Sequence, residues 1–167
     1  MWNPKRHVLP LRRDFFPPET IWRWSIDIGG RDPHAIGIFG QIGNKHYLFK
    51  EVIKSMVMIE DVIKMAEKMC KKYNIPKPNA VFIDHNVKDF VLQLQAKGYP
   101  VVLCEKKSIL EGVETFKEAL AEMNFFVNEF SLEERDPLMG GEPQGLKEEI
   151  GSYVHKPPEK RLSLIHI

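Results

Sequence analysis

The sequence has little net charge, few cysteines and no long apolar run, and each absence narrows the functions open to it. Its formal net charge is +1 over 167 residues, so any contact with nucleic acid must come from a local patch of charge. The two cysteines, Cys70 and Cys104, lack the spacing of a metal site, and we expect both to be buried thiols in a reducing compartment. No apolar stretch is long enough to span a bilayer, and nothing resembles a signal peptide. A glycine-rich phosphate loop ending in Lys-Ser or Lys-Thr is also missing.

What is present fits one α/β domain. The chain is 43% apolar and 28% charged, as globular domains of this length are. Its periodicity predicts a strand, a hairpin with Asn44 at its tip, and then helices alternating with strands. The predicted strands cover residues 22–28, 35–42, 46–53, 79–84, 99–104 and 125–128, and the predicted helices cover 59–73, 87–94, 108–123 and 146–154. We therefore expect a mixed central sheet, opened by a three-stranded antiparallel meander, with helices on both faces.

Asp27 is the first candidate for a chemical role. Alternation along the first strand turns Trp22, Trp24 and Ile26 to one face and Asp27 to the other. Two glycines follow, and a carboxylate beside such an open backbone suits a divalent cation or a phosphate. An ordinary half-buried strand that ends in a glycine turn explains the same pattern.

Asp84 is the second candidate, because it ends another apolar strand. Right-handed crossovers place that strand next to the first one, so both acids are expected at the same edge of the sheet. Two carboxylates this near to each other repel unless a cation lies between them. Mg²⁺ and Mn²⁺ are suitable cations because they prefer oxygen ligands. A third carboxylate is normally needed to complete such a site. Asp84 as the cap of the following helix remains the alternative.

Weaker candidates surround the two acids. His85 and Lys107 follow strand ends and are candidates for contacts with DNA phosphates, as is Arg31 in the turn after Asp27. Each has an ordinary explanation as a solvated surface residue. Glu149, on the last helix, is within reach of a metal in principle, but we interpret it as helix surface.

The chain resembles the nuclease domain of tailed-phage terminase large subunits, which has a ribonuclease H-like fold. The first acidic strand corresponds to residues 25–35, the second to residues 81–84, and the opening of the next helix to residues 107–113. Leu146, Glu149, Ile150 and Tyr153 match a pattern found late in that domain. The order and spacing of these segments together carry the resemblance.

The resemblance implies cleavage of concatemeric double-stranded DNA during genome packaging, with Asp27 and Asp84 holding two Mg²⁺ or Mn²⁺ ions. It also implies a packaging ATPase domain, a portal and a small terminase subunit as partners, at the procapsid in the bacterial cytoplasm. Residues 1–20 are then a lead-in from an ATPase domain that the sequence lacks, and residues 21–161 are the nuclease domain.

The chain departs from the family near its end. The third acid of the family lies beyond the late tyrosine, and nothing in residues 156–161 replaces it, Glu159 included. Residues 162–167 resemble a translated sequencing adapter, and we exclude them from the fold. We therefore expect the third acidic ligand to be absent and cleavage to be weak.

Three other functions remain open from the sequence. An actin-like or sugar-kinase-like ATPase also begins with Asp-x-Gly on a strand, although Arg31, Asp32 and Pro33 stand where such folds carry Ser or Thr. A junction resolvase or integrase uses the same fold. An inactive module that docks on DNA or on a portal needs no catalysis.

Overall fold

The computed structural model of the chain describes residues 1–29, 32–84, 87–104 and 109–154, and the side chains of Asp84, Ile109, Leu110, Tyr153 and Val154 lie outside that description. The strands are β1 (Val8–Leu9), β2 (Ile21–Asp27), β3 (His34–Ile42), β4 (Lys45–Lys54), β5 (Ala80–Asp84), β6 (Val101–Cys104) and β7 (Phe125–Asn128). The α-helices are α1 (Pro4–His7), α2 (Ile59–Lys72), α3 (Lys88–Ala96), α4 (Ile109–Ala121) and α5 (Gly145–Val154). Short 3₁₀ turns occupy Arg13–Phe15 and Pro137–Met139.

The described strands form one mixed sheet of seven, in the order β1-β7-β4-β3-β2-β5-β6. The meander β2-β3-β4 is antiparallel, and β5 pairs in parallel with β2. The remaining pairs, β5 with β6, β4 with β7 and β7 with β1, are also parallel. The predicted fold class is confirmed, as is the prediction that the strand ending in Asp84 lies beside the strand ending in Asp27.

Helices cover both faces of the sheet, as adjacent residues of β7 demonstrate. Phe126 packs in the main core with residues of α2 and α3, whereas Phe125 packs with Phe116 and Leu120 of α4 and Ile150 of α5. Neighbouring residues of a strand point to opposite faces. The pair α2 and α3 therefore lies on one face of the sheet and the pair α4 and α5 on the other.

A β-bulge in the middle of β4 decides which of its residues meet which face. Ile38 pairs with Lys50 and Phe39 with Leu48, so Phe49 is an extra residue in β4. Tyr47, before the bulge, and Phe49, in the bulge itself, lie in the main core, and Val52 joins the same core after it. The bulge thus turns Glu51 to the opposite face, where α5 lies, because one inserted residue reverses the alternation that follows.

The segment before β2 belongs to the sheet. Val8 and Leu9 form a seventh strand beside β7, an addition to the six strands that the sequence predicted. His7 is buried at 1% exposure, and its Nε2 lies 2.9 Å from the carbonyl oxygen of Leu120. The lead-in residues therefore help to close the face that carries α4.

The prediction that both cysteines are buried is wrong for Cys104. Cys70 packs in the main core, but Cys104 is exposed. Its strand, β6, lies at the edge of the sheet, where Val102 and Leu103 are also exposed. An apolar run predicts burial only if both faces of its strand are covered.

Among the described residues, no helix is long and apolar enough to cross a membrane.

Candidate metal centre

The two predicted acids end adjacent parallel strands. Asp27 is the last residue of β2 and Asp84 the last residue of β5. Ile26 pairs with Ile83, so the residues that follow them occupy neighbouring backbone positions at one edge of the sheet. The side chain of Asp27 is exposed. The backbone therefore brings the two acids together, as the sequence predicted.

The turn after Asp27 is fixed by a close approach of two backbone segments. A Cβ atom on Gly29 would lie 2.1 Å from the carbonyl oxygen of Asp32, so only glycine fits there. The Gly29 N–H donates to Nδ1 of His34 at 3.2 Å. Nε2 of His34 lies 3.1 Å from the carbonyl oxygen of Val57, and with Nδ1 accepting it is the donor of that bond. Asp27 is thus carried on a turn that is anchored to the start of β3.

Small residues lie beside Asp27 on the same face of the sheet. Asp27 pairs with Ala35, and Ser25 pairs with Gly37, which pairs in turn with Glu51. Residues paired across strands share a face. Asp27 and Glu51 therefore flank β3 on the face that α5 covers, with only Ala35 and Gly37 between them on that face.

Glu51 is a buried carboxylate with two hydrogen-bond donors. Its Oε1 accepts from the backbone N–H of Leu146 at 2.9 Å, and its Oε2 accepts from the hydroxyl of Ser131 at 2.7 Å. The residue is buried, with 9% of it exposed. Burial raises the pKa of Glu51, and these donors offset part of that rise.

Glu149, which the sequence interpretation assigned to the helix surface, is only partly exposed on α5. The side chain is half-buried, and its pKa is raised to about 7 by burial and by the negative charges of Glu51 and Asp27. Its neighbour Glu148 is the surface residue of the pair, since Arg135 binds it through two hydrogen bonds of 2.7 and 3.0 Å. Negatively charged side chains are therefore concentrated on the sheet face beneath α5.

This donor set suits a hard divalent cation. Carboxylate oxygens are the ligands that Mg²⁺ and Mn²⁺ prefer, and a cation would offset the repulsion from Glu51 and Asp27 that adds to the effect of burial on the pKa of Glu149. Among the described residues, no three His, Cys, Asp or Glu side chains are grouped closely enough to hold a metal ion. A complete site therefore needs a ligand beyond the described side chains, and Asp84 is the residue that the strand register brings nearest.

Three of the predicted site residues fall outside the described part of the chain. Arg31, His85 and Lys107 all lie in its gaps, so their predicted contacts with DNA remain predictions. Residues 155–167, which include Glu159 and the adapter-like tail, also lie outside it.

Sequence reasoning missed Glu51, although one signal was present. Glu51 is the only acid in the predicted strand 46–53, and an acid inside such a run needs a buried partner or a site. A regular strand would have placed Glu51 on the same face as Tyr47 and Phe49. The bulge that reverses this placement has no signature in the sequence, because Phe49 is not a residue type that marks bulges.

Comparison with known proteins places this geometry in a known fold. The large terminase of a thermophilic bacteriophage is 21% identical and superposes with a TM-score of 0.65, over 77% of this chain and 32% of that one. The nuclease domain of the P22 large terminase is 14% identical, with a TM-score of 0.61 over 77% of this chain and 70% of that domain.

The fold is that of a terminase nuclease domain. The chain spans about a third of the length of the thermophilic phage's large terminase. No protein-family model and no curated protein matches the sequence. The likeness to terminases is thus one of three-dimensional structure.

Proposed function

We propose that this chain is the nuclease part of a phage DNA-packaging terminase and that it hydrolyses phosphodiester bonds of double-stranded DNA with divalent cations. One observation carries the proposal. Asp27 and the backbone of Asp84 end adjacent parallel strands, in a fold that the P22 large-terminase nuclease domain shares. Acids at that position are the ligands that phosphodiester hydrolysis by Mg²⁺ or Mn²⁺ requires.

The residues of the chain have separate roles in this proposal. Asp27 and Asp84 would hold the ions. Bound ions would supply an activated water and stabilise the leaving 3′ oxygen. The Gly29 turn and its hydrogen bond to His34 would keep Asp27 at the edge of the sheet. Arg31, His85 and Lys107 would position phosphates without reading bases.

Substrate choice would come from partners, because the sequence has no sign of base-specific recognition. The proposed partners are a packaging ATPase domain, a portal and a small terminase subunit, and the proposed location is the procapsid in the host cytoplasm. Concatemeric DNA delivered by that motor would be the substrate.

Nicking of a supercoiled plasmid tests the proposal. We expect cleavage with Mg²⁺ or Mn²⁺, none with EDTA, and a loss of about a hundredfold or more for Asp27→Asn. Asp32→Asn is the matched control, since Asp32 is an exposed acid in the adjoining turn, where asparagine is equally suited. Equal activity of Asp27→Asn and the wild type would refute the proposal.

The same preparation separates the other functions. ATP binding without nicking would favour an ATPase fragment, and a strong preference for branched over linear DNA would favour a resolvase. DNA binding that Asp27→Asn leaves unchanged, with no nicking even in Mn²⁺, would identify a docking module.

A further inference from the structure

The strand β2 lies inside the sheet, yet one of its two faces is open. It pairs with β3 on one side and with β5 on the other. The residues that point to the main core are each 5% exposed or less, namely Trp22, Trp24 and Ile26. The residues that alternate with them are all exposed or partly exposed, namely Ile21, Arg23, Ser25 and Asp27. Because both edges of β2 are paired, this exposure belongs to its second face, which carries Asp27.

The open face continues onto the strands beyond β2. Phe82 of β5 pairs with Ser25 and is partly exposed. Val102 of β6 pairs with Phe82 and is 42% exposed. On the main-core face of β5, by contrast, Val81 and Ile83 are buried. We call the exposed surface on the second face of these three strands the open strip, formed by Arg23, Ser25, Asp27, Phe82 and Val102.

The apolar cluster of α4 ends at Phe39 of β3. The ring of Phe39 lies 6.2 Å from the ring of Phe125, which packs with α4. The same ring lies beside Gly37, because a Cβ atom on Gly37 would be 2.8 Å from its edge. The aromatic cover therefore extends along β3 and stops there, and the open strip begins at the next strand, β2.

Arg23 supplies the positive charge of the open strip. Its partners across the strands are Phe39 and Ala80, neither of which is an acid. Its guanidinium carbon lies 5.9 Å from the centre of the Phe82 ring, at the outer limit of a cation–π contact. Among the residues that the structure describes, none forms an ion pair or a hydrogen bond with this guanidinium. Its five N–H donors, which match phosphate oxygens in pairs, are therefore available to an anion on the strip.

The spacing of Arg23 and Asp27 suits one extended ligand. Arg23 lies four residues before Asp27 in β2, a distance of about 13 Å along the strand. Each strand of a DNA duplex carries a phosphate about every 3.4 Å along the helix axis. Ser25 lies between the two residues and has only a small, exposed hydroxyl side chain. A DNA backbone that reaches metal ions at Asp27 can therefore continue over Ser25 to Arg23.

We propose that the open strip is a docking surface for the DNA backbone and that Arg23 binds a phosphate flanking the one that is cleaved. The inference rests on the proposed nuclease function and adds a binding residue to it. Charge favours this occupant over another protein surface. A protein surface that covered Arg23 without an acid would remove the hydration of the guanidinium at a cost. A phosphate replaces that hydration with charge-assisted hydrogen bonds.

Fluorescence anisotropy of a labelled DNA duplex, measured in EDTA at several salt concentrations, tests the contact without turnover. We expect Arg23→Gln to weaken binding by about threefold to tenfold and to lower the slope of log Kd against log salt by about 1. Lys68→Gln is the matched control, since Lys68 is exposed on α2, on the opposite side of the sheet. It should bind DNA as the wild type does. Equal salt slopes for the two variants would overturn the proposal.

A conservative variant and nicking kinetics separate a DNA contact from a structural role. Arg23→Lys keeps the charge and should keep most of the salt slope. In plasmid nicking, Arg23→Gln should raise KM with little change in kcat, because a flanking phosphate is bound equally in the ground state and the transition state. A lower kcat at unchanged KM, or a salt slope that Arg23→Lys fails to recover, would overturn the role.

The outcomes for the two proposals are distinguishable. If the wild type nicks DNA and Asp27→Asn does not, the nuclease proposal stands whatever Arg23→Gln does. If Arg23→Gln then binds DNA with the wild-type salt slope, only the present inference fails. It also fails if Arg23→Gln converts a dimer into a monomer in light scattering at unchanged DNA affinity, since the strip is then an interface between copies. A wild type that binds DNA through Arg23 but nicks none overturns the nuclease proposal and leaves the DNA contact.

Discussion

The two faces of the sheet are built from different kinds of side chain. The face beneath α2 and α3 is a continuous apolar core that includes Trp22, Trp24 and Phe49, each at 2% exposure or less. The face beneath α4 and α5 has a small apolar cluster around Phe116, and next to it lie acids and small residues. Burial of apolar area is the main source of folding free energy. The first face therefore supplies most of the stability, and the second is left free to gather like charges.

Charged side chains have different surroundings on the two faces of the sheet. Lys50 is buried on the first face, where Glu133 lies 3.1 Å from its ammonium group and the ring of Tyr73 lies 4.5 Å away. On the second face, burial and, after it, the negative charges of Glu51 and Asp27 raise the pKa of Glu149 to about 7. A buried charge with a partner maintains the fold, whereas carboxylates held near each other favour a bound cation. The proposed metal centre lies on this second face.

The largest effect is expected from two neighbouring phenylalanines of β7. Phe126 is 6% exposed in the main core and stacks on Tyr47, so Phe126→Ala should lower the free energy of unfolding by about 3–5 kcal/mol. Phe125 is half-buried against Phe116 on the other face, and Phe125→Ala should lower it by about 1–2 kcal/mol. Urea unfolding of both variants measures the difference.

Phe125→Ala serves as the matched control, because the two variants remove the same atoms from adjacent positions of one strand. Equal losses of unfolding free energy would mean that the two faces contribute equally to stability. That result would contradict the conclusion that the face beneath α2 and α3 supplies most of the stability.

A smaller effect is expected from two glycines with positive φ. Gly145→Ala should lower the free energy of unfolding by about 2–3 kcal/mol, because it adds a contact with Glu51 to the cost of a left-handed backbone. Gly43 has a φ of +60° and no atom within 4 Å of its Cβ position, so Gly43→Ala should cost about 1 kcal/mol. Thermal unfolding monitored by circular dichroism measures both changes. If Gly145→Ala costs no more than Gly43→Ala, the contact between Glu51 and α5 does not hold the helix.

The sequence predicted the fold well where the signal was periodic. Alternation in β2 identified the faces of Trp24 and Asp27, and the predicted hairpin tip at Asn44 identified the turn between β3 and β4. Handedness of the crossover placed β5 beside β2. These features depend on local patterns and on general rules of connection, so one sequence is sufficient to find them.

The candidate site was less predictable, because it depends on contacts between distant segments. Glu51 reaches α5 only through the bulge at Phe49, and its partner Leu146 is 95 residues away. Glu149 has the same helical environment in sequence as Glu148, and only the docking of α5 distinguishes them. Neither the bulge nor the docking of a helix on a sheet follows from local periodicity.

The smallest effect is expected from a buried acid away from the site, Asp136. Like Glu51 it is buried, but hydrogen bonding from Ser55 and Leu138 holds the pKa of Asp136 below its ordinary value. An acid whose pKa is lowered on folding stabilises the protein above its ordinary pKa, and that stabilisation is lost as pH falls through the lowered value. Asp136→Asn should therefore lower the free energy of unfolding by about 1 kcal/mol at pH 7 and by much less near pH 3. Urea unfolding at several pH values measures this, and an equal loss at pH 7 and pH 3 would show that the charge of Asp136 contributes nothing.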